Sequence, residues 1–260
     1  MTEAALDLFA REYARHRAEE GRGYCGEQLL ALPYLRSGPH AGQWKIRART
    51  FDALIARVIG PMAEHLGRPL QLLDLGAGNG WLSYRLALEG HDTFALDIRA
   101  DNVDGLGAAS AFRQRAATMK CIVAPFEHVP LPSESVDIAL FNASLHYATD
   151  LDAVLREAGR VARPGGRIVI VDSPFYDRES DGAAMVAEKR ERFGARAKDL
   201  MALPFIEFLT RERLQDAAPE LAWTRHKVRY PLAYELRPLI AAIAGRRRPS
   251  RFDLWIAQRP

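Results

Sequence analysis

Hydrophobic and polar positions along this 260-residue chain follow two different periods. Up to about residue 68 the apolar residues recur every three to four positions. Leu6, Phe9 and Tyr13, with Leu8 less regular, predict a helix from Thr2 to about Glu20, and a Gly/Pro-punctuated loop follows through Gly42. Phe51, Leu54, Ile55, Val58 and Ile59 predict a second helix from about Arg47 to Leu66, bent or ended by Pro61.

From Leu70 the texture changes to short apolar runs separated by helical stretches. QLLDL, WLSYRLALEG, TFALD, a helix from about Asn102 to Ala117, and MKCIVA read as βαβαβ. VDIALF, a helix from about Leu151 to Val161 ended by Arg163-Pro164-Gly165-Gly166, and RIVIVD extend the pattern into a parallel α/β sheet. The alternation then stops. Asp177 to about Leu203 and Thr210 to Ala217 read as helices of an insertion after the fifth strand, able to cap a pocket. LAWTRHKVRYP and RFDLWIA read as two late strands joined by a helical segment. The expected division is a helical extension over 1–68 and an α/β domain over 69–260, with the cap at about 177–219.

Composition narrows the classes. With 48% hydrophobic and 27% charged residues the chain is neither disordered nor fibrous. The formal charge of +3 says little about partners, because only Leu221 to Pro260 is basic, with nine Lys/Arg against two Asp/Glu. Cys25 and Cys121 form no CxxC pair, which excludes a disulfide framework and a cysteine-rich zinc site and predicts a reducing compartment. The scattered histidines show no ligand spacing, so no metal is expected. No secretory leader and no apolar span is seen, and the expected protein is cytoplasmic with no membrane partner.

The most informative segment is Asp74-Leu75-Gly76-Ala77-Gly78-Asn79-Gly80, between the first predicted strand and the helix beginning near Trp81. Missing side chains at the carboxyl end of a parallel strand let the backbone approach a ligand, while the next helix offers free N–H groups. The third glycine comes two residues after the second, whereas the dinucleotide fingerprint spaces it three after, where Trp81 stands; a dehydrogenase is disfavoured. Asp97 closes the second strand, where a carboxylate can accept from both ribose hydroxyls, and an adenosine-containing cofactor is expected.

These residues resemble the class I S-adenosylmethionine-dependent methyltransferases, in particular their ubiquinone-biosynthesis-like, small-molecule branch. Phe126-Glu127-His128-Val129-Pro130-Leu131-Pro132, Asn142-Ala143-Ser144-Leu145-His146-Tyr147 and Arg163-Pro164-Gly165-Gly166 continue the resemblance over about Leu70 to Asp172. It implies a Rossmann-like seven-stranded sheet of order 3-2-1-4-5-7-6 with the last strand antiparallel. It also implies S-adenosylmethionine as methyl donor, S-adenosylhomocysteine as product, and no metal. Asp74, Gly76, Ala77, Gly78, Asn79, Gly80, Asp97, Ile98, Pro125, Phe126, Glu127, Asn142, Ala143 and Leu145 would then bind the cofactor. Many relatives carry Asp where Pro125 stands, which leaves adenine to the Phe126 backbone and to Ile98 and Phe126 contacts.

Methyl transfer by in-line displacement needs no protein nucleophile, and alignment of the reactants supplies most of the acceleration. His146 is the candidate base, because its ordinary pKa near 6.5 suits proton acceptance at neutral pH. Arg47 or Arg49, beside Trp44, is expected to meet the cofactor carboxylate from a lid. Tyr13, Tyr24, Tyr34 and Tyr176, with His146, are the candidates to line the acceptor pocket. Pro204-Phe205-Ile206-Glu207-Phe208-Leu209 is either a homodimer patch or pocket lining.

The leading reading is an enzyme methylating oxygen, nitrogen or carbon of a small molecule. The alternatives are a non-catalytic cofactor- or partner-binding protein of the same fold, supported by Pro125, and an RNA or protein methyltransferase. Only the basic tail, with Arg246-Arg247-Arg248, encourages the last, and nucleic acid ranks below small molecules.

Overall fold

The computed structural model describes residues 3–112, 115–193 and 202–260. Its centre is a seven-stranded sheet of order β3-β2-β1-β4-β5-β7-β6. The strands are β1 Gln71–Leu75, β2 Asp92–Asp97, β3 Met119–Val123, β4 Val136–Asn142, β5 Ala162–Val171, β6 Thr224–His226 and β7 Leu254–Gln258. The first five are parallel, and β7 runs antiparallel to both β5 and β6. The expected order and the reversed last strand are both present.

Alternation along the strands sends side chains to two cores. Leu72, Ile138, Leu140, Val169, Leu254 and Ile256 pack under the N-terminal helices and α5 (Trp81–Leu88). Leu73, Leu75, Phe141, Ile168, Ile170 and Trp255 face the opposite layer, with α6 (Leu151–Val161) and α8 (Arg211–Ala217). Every residue of β4 is buried, as a central strand covered on both faces must be. Asp150 caps α6 by accepting the Ala153 N–H at 3.0 Å, and α6 buries Val154, Leu155, Ala158 and Val161 on one side.

The extension forms α1 (Glu3–Glu19), the short α2 (Gly26–Ala31) inside the expected loop, α3 (Ala41–Leu54) and α4 (Gly60–Leu66). Helix α3 starts six residues earlier than predicted. A π-helical turn, Ile55–Ile59, joins it to α4. Proline at 61 removes a backbone donor and crowds the preceding turn, and the widened π turn accommodates it without ending the helix.

Three predicted elements differ. The Asn102–Ala117 helix is a 3₁₀ segment, Leu106–Phe112, with residues 113–114 outside the described set. Asp101 Oδ1 accepts the N–H groups of Val103, Asp104 and Gly105 and so tightens the chain into a turn there. Arg163-Pro164-Gly165-Gly166 is absorbed into β5 as an irregularity: pairing passes from Val136 with Ala162 to Ile138 with Arg167. The strand expected over LAWTRHKVRYP shrinks to β6, because Val228 N–H goes to the Asp253 carboxylate instead of a neighbouring strand. The insertion contains α7 (Glu179–Phe193), and the rest of its predicted helix, over 194–201, lies outside the described residues.

Candidate active site

A cavity of about 310 Å³ opens at the carboxyl ends of β1, β2, β4 and β5. Its floor is the glycine loop. Gly76, Gly78 and Gly80 all have left-handed backbones, with φ of 76°, 57° and 79°. A Cβ on Gly76 would sit 2.5 Å from the Cβ of Ser144, so only glycine lets the β1 and β4 loops meet. Gly76 and Ala77 N–H both donate to the Leu96 carbonyl, at 2.8 and 2.9 Å, locking the loop onto β2.

Asp97 accepts the Gly78 N–H at 2.7 Å on one oxygen and the Arg99 N–H at 2.8 Å on the other. A carboxylate offers about four lone-pair sites, so acceptor capacity remains on the cavity side. Burial pushes its pKa up, while Arg99 and these N–H groups work against the rise. Asn79, just before the Gly80 cap of α5, accepts the Trp81 N–H at 3.2 Å and donates to Asp104 at 3.1 Å. Arg17 of α1 reaches the same Asp104 carboxylate at 2.6 Å. One ion pair therefore ties the N-terminal helix to the sheet across the cavity.

The opposite wall comes from the ends of β4 and β5. Ala143 and Asp172 both have φ of 54°, turning the chain sharply as each strand ends. Ser144 Oγ donates to the Leu75 carbonyl at 2.5 Å. Beyond it, Tyr147 and Tyr13 meet hydroxyl to hydroxyl at 3.1 Å. Phe9 and Phe205 pack edge-on at 4.9 Å between centroids and join the tyrosines in an aromatic compartment. Asn142 Oδ1, His146 Nδ1 and Asp172 Oδ1 are closed off from solvent without a protein partner.

Ala77, Gly78, Asn79, Asp97, Ile98 and Gly76 line this cavity, as do Pro125, Phe126, Glu127, Asn142, Ala143, Arg47, Tyr13 and His146. Four predicted residues support it from behind or stand apart in detail. Asp74, Gly80 and Leu145 are outside the lining. Asp74 accepts from Ser83 at 3.1 Å, joining β1 to α5, and burial raises its pKa to about 7. Arg49 is exposed and also outside the lining, whereas Arg47 lies over the Trp44 ring at 5.1 Å.

Three of the four tyrosines are corrected. Tyr24 is buried in the core, where its hydroxyl accepts the Trp44 indole N–H at 2.7 Å. Tyr34 is 44% exposed and donates to Asp52 at 2.8 Å. Tyr176 is buried outside the cavity lining and accepts from Arg247 at 3.2 Å. Each already has a packing or hydrogen-bonding role that turns it away from the cavity. The 204–209 stretch divides: Phe205 lines the cavity, and Phe208 and Leu209 are buried within the same chain, which removes the basis for a dimer patch there.

His146 departs from the premise that made it a base. Burial, helped by the charges of Lys189 and Arg47, lowers its pKa to about 3. At neutral pH the ring is uncharged, a hydrogen-bond partner but a weak proton acceptor. Arg17, Arg99, Tyr147, Asp104, Asp172, Phe9 and Phe252 line the cavity without having been singled out. Only the first had a legible signal, since Arg17 stands one helical turn after Tyr13. Among the described residues no group of three or more His, Cys, Asp or Glu is placed to hold a metal ion.

Sheet order and the glycine loop with its acidic partner define a Rossmann-like methyltransferase fold. Residues 73–170 match the family described as "Methyltransferase domain". A malonyl-[acyl-carrier protein] O-methyltransferase of Serratia marcescens is 35% identical over 143 residues, which is 55% of this chain and 52% of the relative. The chain thus spans about half of that relative's length. The same enzyme from Enterobacter lignolyticus is 26% identical over 252 residues, covering 81% of this chain and 95% of the relative. Among solved structures, a geranyl diphosphate C-methyltransferase from Streptomyces coelicolor, in complex with Mg²⁺, geranyl diphosphate and S-adenosyl-L-homocysteine, superposes with a TM-score of 0.58. It shares 16% identity and covers 98% of both chains, a likeness of fold. Residues 73–170 thus match a methyltransferase domain, set on a sheet of the Rossmann-like methyltransferase order.

Proposed function

We propose that this cavity holds S-adenosylmethionine and that the chain transfers its methyl group to an oxygen of a small or carrier-bound acceptor. The observation that carries the reading is Asp97, held by the Gly78 and Arg99 N–H groups with acceptor capacity left facing the cavity. The residues present fit the cofactor. Asp97 would take the ribose hydroxyls, and Ile98 and Phe126 would flank adenine. Asn142 and Ala143 would flank the methionine part, and Arg47 would meet its carboxylate.

When bound, the sulfonium supplies an electrophilic methyl group. The chain's part is positional. The Gly76–Ser144 contact sets the floor height, and the Arg17–Asp104 pair holds α1 over the opening and excludes water. The aromatic compartment of Phe9, Tyr13, Tyr147 and Phe205 would seat the acceptor. Neutral His146 would orient it by a hydrogen bond and take no proton at neutral pH, which suits an acceptor arriving as a carboxylate. The O-methyltransferase relatives support oxygen as the methylated atom.

Calorimetric titration with S-adenosylhomocysteine tests the cofactor assignment. Wild type should bind saturably, and Asp97→Ala should bind roughly 10- to 100-fold more weakly, the worth of hydrogen bonds to a charged group. Undiminished affinity in the variant would overturn the assignment. Release of S-adenosylhomocysteine on addition of a malonyl thioester would then test the acceptor class.

A further inference from the structure

Between β6 and β7 the chain runs through two short helices, α9 (Leu232–Glu235) and α10 (Arg237–Ile243). Leu232, Leu236, Leu239, Ile240 and Ile243 fall at i, i+4, i+7, i+8 and i+11, the spacing of one helical face. Leu236, with φ −78° and ψ −11°, lets α10 follow on from α9 so that the face is nearly continuous. Such a face normally turns to the core. Here all five residues are exposed, Leu232 at 73% and Ile243 at 80%. The inward contacts are made by Tyr234, 4.4 Å from the Tyr230 ring, and by Arg237, which lies over Tyr234 and donates to the Ser250 carbonyl.

The segment carrying this face is cationic, although Glu188 and Asp181 of α7 engage Arg247 and the Arg248 N–H. Lys227 to Arg251 contains seven Lys/Arg and a single acid, Glu235, which is engaged with the Tyr230 N–H and Arg251. Arg229, Arg246 and Arg248 are exposed, and none of them makes an ion pair among the described residues. A stripe of exposed aliphatic side chains, with unpaired arginines on either side of it along the chain, carries no exposed aromatic anchor of the kind protein partners complement. A bilayer surface requires neither, since it takes up an apolar face and attracts cations through anionic headgroups.

We propose that the α9–α10 face docks on an anionic lipid surface. This is attachment and not spanning, as no described helix is long and apolar enough to cross a membrane. It revises the expectation of no membrane partner, which rested on the lack of a span. The same segment leads to Phe252, which packs near Tyr234 at 6.4 Å and forms part of the cavity wall, so docking brings the cavity to the lipid.

Co-sedimentation with extruded phosphatidylglycerol and phosphatidylcholine vesicles tests the proposal. Binding should be at least about ten-fold stronger to phosphatidylglycerol and should weaken as salt rises. Leu239→Glu/Ile243→Glu should lower it about 100-fold, about ten-fold for each side chain withdrawn from the apolar phase. S-Adenosylhomocysteine binding, measured on the same preparation, should be unchanged and reports folding independently of the lipid result. Arg246→Glu/Arg248→Glu should remove the preference for phosphatidylglycerol. Failure of wild type to sediment with either vesicle overturns the proposal, as does equal binding by the Glu variants. A dimer in light scattering that those variants dissociate, without vesicle binding, would assign the face to a second copy instead.

Discussion

At the start of β4 the Asp137 carboxylate is fully engaged: Arg68 holds both oxygens at 2.8 Å, Arg163 adds a bond at 2.7 Å and the Gln71 N–H another at 2.8 Å. At the end of the same strand Asn142 Oδ1 has no partner, nor has His146 Nδ1 four residues on or Asp172 Oδ1 beside them. Titration behaviour divides the same way. Burial works to raise the Asp137 pKa, yet its partners hold it down at about 2, whereas burial governs the far end, raising Asp172 and lowering His146. The Asp137 carboxylate is satisfied by the chain itself, whereas Asn142, His146 and Asp172, which line the cavity, each keep a buried polar atom without a protein partner, as is expected of a site more than of a scaffold.

The largest expected effect is at the satisfied end. Asp137→Ala unpairs Arg68 and Arg163 and leaves the Gln71 N–H without its acceptor; because the two arginines are 44% and 35% exposed and can turn to water, the cost in urea denaturation should be about 2–3 kcal/mol, below that of breaking a fully buried pair. Any folded fraction should keep its S-adenosylhomocysteine affinity. Because the folded pKa of Asp137 is depressed, its contribution is present above the unfolded value of about 3.9 and fades as pH falls toward 2; Asp137→Asn should lose that acid-side dependence.

Next comes the loop that joins the two walls. Gly76→Ala forces a Cβ into a left-handed position against Ser144 and should cost about 1–3 kcal/mol in stability. Unlike Asp137→Ala, it should also weaken S-adenosylhomocysteine binding, by about ten-fold or more. Loss of stability without loss of affinity would show that the loop is mere scaffold.

His146→Gln sharpens the contrast in pH. The unfolded histidine binds a proton near 6.5 and the folded one only near 3, so wild type should lose stability relative to the variant as pH falls through this window. The limiting slope is about 1.4 kcal/mol per pH unit. Parallel stability curves from pH 7 to 4 would show the ring to be as exposed to water when folded as when unfolded. The smallest effect should be that of Tyr24→Phe, which strips the Trp44 indole of its acceptor: about 1 kcal/mol of stability and no change in cofactor affinity.

Legibility in the sequence followed the range of the interactions. The glycine loop, Asp97 and the strand pattern depend on neighbours a few residues away or on period-two alternation, and these were readable one after another. Helix α6 lies where it is expected because its apolar stripe and the Arg163-Pro164-Gly165-Gly166 stretch after it act locally. The 3₁₀ segment after β2 was not, since the Asp101 carboxylate diverts backbone donors in a way that helical periodicity does not register. Arg17, Asp104 and Asp172 escaped notice for a different reason: their meaning depends on α1 reaching Asp104 and on α3 facing Asp172, about 80 and more residues away in the chain.

Period and turn chemistry along the chain by themselves determined a parallel α/β sheet with a ligand loop after β1 and an acid after β2. Resemblance to a family added the strand order. Tertiary structure alone decided which tyrosines face the cavity, that His146 is uncharged at neutral pH, and that an apolar helical face near the C-terminus looks outward. The physical reason is common to all three. A side chain's period states that it must be covered or hydrogen-bonded, but what covers it, and how much water remains, is set by segments distant in sequence.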